Sequence, residues 1–407
     1  MGTALPRLAA VFGVMAAMSA LAATAQEVIR FQGKSAADKP GEAVAASDSP
    51  SNKGETSAAK VPNMVNPFVP EDQGAKTDGK KAPADLAQPS CGKTDRRFTI
   101  DRLFSRRNCC GPDCEECPKY GLALAAGMES WRNPSNSVRL PNLNLPLQAN
   151  TGIVSSANFG VPIPKLQDYG VGFQLGVSYG MYNFDGQFNI NRADGTSSSE
   201  VQQQVFVTTG FFRRAFEGSP ISAGLVYDWQ TNDGYGPLGL HPFLGQWRAQ
   251  IGYALTCSNE VGVWGTIRDH GDSQVIEPFL AVTRPVSQVN VFWHHNFESG
   301  SDSWLWLGVP EHEDLTGGGR LGEWTLGATL NVPLTERVAV YATGQYMRPT
   351  ARAGDLAATE DAYTIGFGLV YFPGASARNR SVAGKCWMPY LPVANNATFL
   401  ADNALRF

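Results

Sequence analysis

The chain has 407 residues, and 33 Lys and Arg against 37 Asp and Glu leave a net charge of −4. That balance gives no electrostatic reason to expect nucleic-acid binding. Its 43 glycines, 26 prolines and 10% aromatics favour turns and strands over helices, and its length suits two average domains or one large all-β barrel.

Residues 1–25 read as a secretion signal. Arg7 supplies the positive n-region, LAAVFGVMAAMSALAA the apolar h-region, and Ala23-Thr24-Ala25 a cleavage site before Gln26. An N-terminal membrane anchor is the competing reading, but the apolar stretch is short and ends in small residues. No later run reaches the roughly 18 apolar residues a helical span needs, so an exported chain of this kind enters a membrane only as strands.

Residues 26–90 are rich in Ala, Lys, Asp, Pro and Ser, with Phe31 and Phe68 the only aromatics. Such a segment buries too little apolar surface to offset its ordering entropy, and it reads as a disordered leader. Gly33-Lys34-Ser35 resembles the end of a phosphate-binding loop, but Val28 stands where that loop needs glycine.

Residues 91–119 form a cysteine-rich segment with Cys91, then Cys109, Cys110, Cys114 and Cys117 in CCGPDCEEC. An oxidising compartment favours disulfides. The spacing also suits a zinc site, the weaker alternative, and no βαβ pattern supports a redox C-x-x-C.

From 120 to 373 the chain is a series of alternating segments. Candidate strands are 121–131, 152–160, 170–184, 201–214, 221–230, 244–256, 259–268, 274–283, 288–297, 322–333, 337–347 and 362–372. Most match the roughly 9–11 residues of a tilted transmembrane strand. In GVGFQLGVSYGMYNF, Phe173, Leu175, Val177, Tyr179 and Met181 alternate with Gly172, Gln174, Gly176, Ser178 and Gly180. A membrane barrel turns such a bulky face to lipid and the small polar face to a lumen. The connections FEGSP, CS, RPVS and PLTE are short, whereas 185–200, 231–243, 298–321 and 348–361 are long. This asymmetry is that of outer-membrane barrels, with tight periplasmic turns, long outside loops and both ends of the barrel periplasmic.

The stretch Thr364-Ile-Gly366-Phe-Gly-Leu369-Val-Tyr371 looks like the final-strand assembly signal of bacterial outer-membrane barrels, although a tail, 374–407, follows it. TLGATLNVPLTERVAVYATGQYMRP together with CWMPYLPVANNATFL resembles a family of exported, uncharacterised β-barrel-like proteins of planctomycete-type bacteria, over roughly residues 120–402. The resemblance implies a secreted β-rich protein of unknown activity and carries no functional residues with it.

Catalytic patterns are weak. Gly176-Val-Ser178-Tyr-Gly180 matches G-x-S-x-G, but the serine lies inside an alternating strand with no helix after it. His294-His295-Asn296 followed by Ser299, Ser301 and Ser303 invites comparison with barrel phospholipases, yet no serine comes close behind the histidines. Asp269-His270 and Glu311-His312 read as solvated loop pairs.

By parity, Gln174, Gln202, Gln204, Asp228, Arg248, Gln250, Arg268, Glu277, Glu323 and Gln345 line the lumen, where opposed charges either flank a channel or pair and close it. Cys257 in a short turn and Cys386 in the tail are candidates for a disulfide that holds the tail at the periplasmic mouth. The sequence thus specifies an all-β, antiparallel up-and-down barrel of outer-membrane type with about 12 strands. Its expected function is a non-enzymatic membrane barrel, either a small-solute channel or an envelope structural protein. The alternatives are a soluble secreted β-sandwich or barrel binding module and a barrel hydrolase. Membrane lipid and small solutes are the expected partners, without cofactor or nucleic acid; the oligomeric state stays open.

Overall fold

The computed structural model describes residues 120–136, 149–187, 200–215, 219–236, 238–277, 279–312, 321–348, 362–378, 382 and 387–406. The signal sequence, the leader and Cys91, Cys109, Cys110, Cys114, Cys117 and Cys386 lie outside the described residues. Fifteen strands occur among these residues: β1 (Gly121–Arg132), β2 (Asn150–Pro162), β3 (Val171–Gln187), β4 (Glu200–Arg213), β5 (Ile221–Asp233), β6 (Phe243–Ala254), β7 (Asn259–His270), β8 (Asp272–Ile276), β9 (Phe279–Pro285), β10 (Gln288–Asn296), β11 (Asp302–Pro310), β12 (Thr325–Pro333), β13 (Val338–Met347), β14 (Ala362–Tyr371) and β15 (Ala401–Arg406).

Twelve of them close an antiparallel barrel in the order β1-β14-β13-β12-β11-β10-β7-β6-β5-β4-β3-β2. Closure runs from Leu124 opposite Tyr371 to Arg132 opposite Tyr363. It removes both sheet edges, so the wall strands satisfy one another's backbone groups. The alternation sorts the side chains as period 2 requires. Leu225, Trp247, Ile251, Val291, Leu307, Ile365 and Phe367 are exposed on the outer face, while Gln174, Gln204, Thr208, Asp228, Gln246 and Thr364 are buried inside. The bulky face of β3 points outward, with Gly172, Gln174, Gly176 and Ser178 inward.

The sequence reading reached twelve strands with two offsetting differences. Residues 274–283 do not enter the wall; β8 and β9 form a hairpin that, with β15, makes a separate three-stranded sheet in the order β15-β9-β8. The missing wall strand is β11, inside the stretch 298–321 read as a loop. Consequently β10 pairs directly with β7, Val289 opposite Gly265, and runs opposite to the direction expected. RPVS, read as a short turn at the end where β1 begins, lies at the other end beside β9, and Phe297–Ser301 makes the short turn instead.

The end where β1 begins and β14 finishes is called the near end. After Phe372 the tail passes the β6–β7 turn, where the Val382 N–H donates to the Cys257 carbonyl at 2.9 Å. From Trp387 it enters the lumen. It runs the length of the barrel to the far end, where β15 pairs with β9 from Ala401–Pro285 to Arg406–Leu280. The two ends of the wall, at the start of β1 and the end of β14, share the near end as expected; the tail, expected at that mouth, instead carries β15 to the far end.

Small inner-face residues make room for the tail. A Cβ built on Gly160 would sit 2.3 Å from the Trp387 carbonyl oxygen, and one on Gly224 would sit 1.9 Å from Leu391 Cδ1. Gly160→Val overpacks this seat, and because β2 is fixed by ladders to β1 and β3, the tail is the part that yields. An overpacking cost of about 1–3 kcal/mol is expected. Limited proteolysis of the variant in detergent should cut within 387–400 while the wall stays resistant; an unchanged digestion pattern would argue against this seat.

Candidate functional site

The lumen is the candidate site, and the tail segment 387–400 is its central element. Asp228 on β5 and Arg248 on β6 face each other inside, with guanidinium Nε and Nη2 donating at 2.9 and 3.1 Å to the carboxylate. Asp228 also accepts from Thr208 Oγ1 at 2.7 Å, and Arg248 Nη2 donates to the Pro392 carbonyl at 2.7 Å. Although Arg248 also borders the space left beside the tail, the pair thus reads the tail backbone. Gln174 does the same: its Nε2 donates to the Leu391 carbonyl at 3.1 Å, and its Oε1 accepts from the Leu391 N–H at 3.3 Å. Thr208 Oγ1 accepts from the Ala394 N–H at 2.9 Å, and Gln246 Nε2 donates to the Thr398 carbonyl at 3.1 Å. A segment with no strand partner of its own thus borrows side chains from β3 to β6 for its buried backbone groups.

Further along, Asn396 is a hub. Its Nδ2 donates to Glu129 Oε2 at 2.8 Å and Gln204 Oε1 at 2.9 Å, and the Tyr182 hydroxyl donates to the same Glu129 oxygen at 2.5 Å. Beyond it, toward the far end, Trp131, Tyr182, Phe206, Tyr235, Leu240 and Phe399 belong to one buried apolar cluster. Tyr235 stacks on Trp131 and bonds the Ser135 hydroxyl at 2.6 Å; burial pushes its phenol up to about 12.

Near the other end, Glu260 Oε1 accepts from the Tyr390 hydroxyl at 2.9 Å and its Oε2 lies 3.1 Å from His294 Nδ1. The His294 ring stacks on Trp304 with centroids 4.0 Å apart. Arg214, in the β4–β5 turn, donates to the Met388 and Pro389 carbonyls at 2.8 and 2.7 Å. Burial lowers its pKa, and Glu260, Tyr390 and Asp302 nearby oppose that shift. Beside the tail remains a cavity of about 320 Å³. It lies against Ala123, Ala125, Ser156, Thr329 and Thr343, where the wall side chains are too short to reach the tail.

Of the residues singled out from the sequence, Gln174, Asp228, Arg248 and Gln345 are buried on the inner face, and half-buried Gln250 lines the cavity. Gln202 and Gln204 are buried there as well. Arg268 and Glu323 stand instead at the far rim, where Arg268 pairs with Glu311, and Glu323 with Arg348 at 3.1 Å. Glu277 is exposed in the β8–β9 turn, outside the wall. Ser178 lies within β3. His295 is on the outer face, its Nδ1 2.9 Å from Asn259 Oδ1, with Ser303 its cross-strand partner on β11. Asp269 accepts from the Tyr227 hydroxyl at 2.6 Å, and Glu311 faces Arg268 and Arg284. Among the described residues no three His, Cys, Asp or Glu side chains are grouped to hold a metal ion.

Sequence reasoning missed Glu129, Glu260, Asp302 and the tail contacts themselves, and it named His294 only within a weak catalytic pattern, not as an inner-face residue. The parity that selected Arg248 also selects Glu129, two positions from Gly127, and Glu260, two from Gly262. The tail left a different signal: Gly160, Gly176 and Gly224 face inward along a wall whose interior needs filling.

The chain resembles several solved barrels. An outer membrane channel from Pseudomonas putida F1 superposes with a TM-score of 0.40 at 11% identity, covering 65% of this chain and 99% of that one. The Salmonella typhi outer membrane phospholipase dimer with bound calcium gives 0.32 at 8% identity, covering 67% and 96%. An anion-selective porin from Comamonas acidovorans gives 0.28 at 8% identity, covering 62% and 98%. No curated protein matches the chain. A family model spans residues 121–401, from the first residue of β1 to the first of β15, and the chain belongs to that family, a family of unknown function (DUF6666).

Proposed function

We propose that this protein is an exported outer-membrane β-barrel acting as a small-solute channel, with segment 387–400 as its resident plug. The observation that carries the membrane reading is the inverted wall: large apolar side chains face outward on a closed set of strands, and polar ones are buried within. An apolar outer band of this kind is costly in water and matched to lipid. The signal peptide and the bacterial origin implied by the family resemblance belong to the same reading. The same reading takes the protein as non-enzymatic: Ser178, whose pattern needs a strand-to-helix turn, sits inside the continuous strand β3. A structural envelope role is the second reading, favoured by the apolar cluster toward the far end.

The membrane reading is tested by carbonate washing and heat-dependent gel mobility. The protein should remain in the membrane pellet and migrate faster unheated than boiled; recovery in the carbonate supernatant would remove it. Leu225→Arg, on the outer face of β5, should cost roughly 2–4 kcal/mol and lower the yield of folded protein in membranes.

Planar-bilayer conductance tests the plug. The full chain should conduct weakly, and a chain ending at Pro373 should conduct severalfold more. Equal conductance would remove the plug role.

Short turns facing the periplasm put the far end outside. An epitope appended after Phe407 should then bind antibody on intact cells, whereas Ser258→Cys should stay unlabelled by an impermeant reagent. The reverse pattern inverts the orientation.

A further inference from the structure

The cavity beside the tail has a chemical preference. Its two arginines are committed: Arg248 to Asp228 and the Pro392 carbonyl, Arg214 to the carbonyls of Met388 and Pro389. Of the cavity-lining polar atoms without a described partner, two are donors, Gln250 Nε2 and Trp306 Nε1, and three are acceptor positions, among them the one carboxylate oxygen. Asp302 is buried, with Oδ2 accepting from Asn331 Nδ2 at 3.1 Å and Oδ1 lacking a partner among the described residues. His294 is only 2% exposed. With its Nδ1 proton directed at Glu260 Oε2, neutral His294 presents Nε2 as an acceptor, and that atom has no described partner. Asn158 Oδ1 is a third such acceptor, its Nδ2 already spent on the Leu391 carbonyl. All three residues line the cavity, together with Trp264, Trp304 and Trp306.

The register brings two of these acceptors close. His294 lies opposite Trp304, and Asp302 is the next inward position on the same strand, a diagonal neighbour within reach of one bridging group. A buried carboxylate oxygen and an imidazole lone pair call for a donor, and the carboxylate calls for a positive one. An anion would meet Asp302 and Glu129 without a free arginine to hold it. The tryptophans supply apolar surface for a short hydrocarbon and favour a cation near their rings.

We propose that this cavity binds a small organic cation, a protonated amine whose ammonium donates to Asp302 Oδ1 and His294 Nε2 while its alkyl part packs on the tryptophans. This rests on the reading of the lumen as a solute path and names the solute class.

The test is a titration of the full chain, purified in detergent micelles, with n-butylammonium chloride followed by tryptophan fluorescence. Butanol and sodium butyrate serve as neutral and anionic counterparts, with sodium chloride matching ionic strength. Butylammonium should give a saturable change at least tenfold tighter than butanol, and butyrate none. Asp302→Asn should weaken butylammonium tenfold or more, whereas Ser299→Ala, in the near-end turn, should leave it unchanged. If Asp302→Asn does not give the heat-modifiable barrel, His294→Phe keeps the aromatic stack, removes the lone pair and should weaken binding severalfold. Similar responses to all three probes, or a variant that binds as the parent does, would overturn the site. The titration needs no ion passage. A barrel that binds butylammonium yet conducts nothing removes the channel reading alone; one that conducts and does not bind it removes the site alone.

Discussion

Space is the constraint from which the rest of this structure follows. About eight strands enclose an interior that wall side chains can fill, and a barrel of twelve leaves room to spare. An unfilled interior would hold water or forgo packing contacts. This chain fills it with its own continuation, which leaves β14 at the near end and returns through the lumen. The wall on the β1 to β6 side carries glycine where the tail presses, as at Gly160, Gly176 and Gly224. Elsewhere the filling comes from large inner residues, Trp264, Phe292 and Trp306, which pack as a cluster of their own.

The tail's polar contacts decide where it sits more than how firmly the protein folds. A buried ion pair such as Asp228–Arg248 contributes little net stability, because desolvation offsets most of the attraction. What it supplies here is an address. With both Asp228 oxygens occupied, Arg248 has one direction left for its remaining donors, toward the Pro392 carbonyl. Gln174 adds a two-way match to Leu391, one residue earlier, and Asn396 fixes the position four residues later through Glu129 and Gln204. A slip of one residue along the lumen would break all three at once and leave buried donors and acceptors without partners.

The wall was legible because its signal is local. Alternation in β3 or β14 is written in adjacent residues, and the side-chain period fixes which face is which. The errors arose where that local signal was ambiguous. In β11 both faces are bulky, Leu305 and Leu307 outside and Trp304 and Trp306 inside, so DSWLWLGVP lacks the small polar face that marked the other strands. In 274–283 the alternation was real, but Glu277-Pro278 interrupts it, and proline inside a run argues against a central strand. In the structure β8 stops at Ile276 and β9 starts at Phe279. The tail was unreadable for another reason. Its contacts join residues 130 or more positions apart, Tyr390 to Glu260 and Asn396 to Glu129, and nothing in CWMPYLPVANNATFL reveals which wall positions it meets. Arg268 and Glu323 show the limit of parity itself: it gives the face of a strand, not the height along it, and both residues fall at the rim.

The tail is held by different physics at its two ends, and this separates the lumen into unequal halves. At the far end β15 is fastened by a backbone ladder to β9, and Phe399 and Leu400 lie in apolar clusters, so release there requires breaking a sheet and exposing a core together. At the near end the hold is mainly side chain to backbone: Arg214 on two carbonyls, Gln174 and Asn158 on Leu391, Glu260 on Tyr390. Contacts of that kind can be exchanged one at a time, by water or by a solute with matching donors, without unfolding a strand. The cavity borders this near-end stretch, Met388 to Asn395. Motion that enlarges the cavity is therefore cheapest where the unpartnered acceptors of Asp302 and His294 already face it, and the far-end sheet acts as the anchor against which such motion would work.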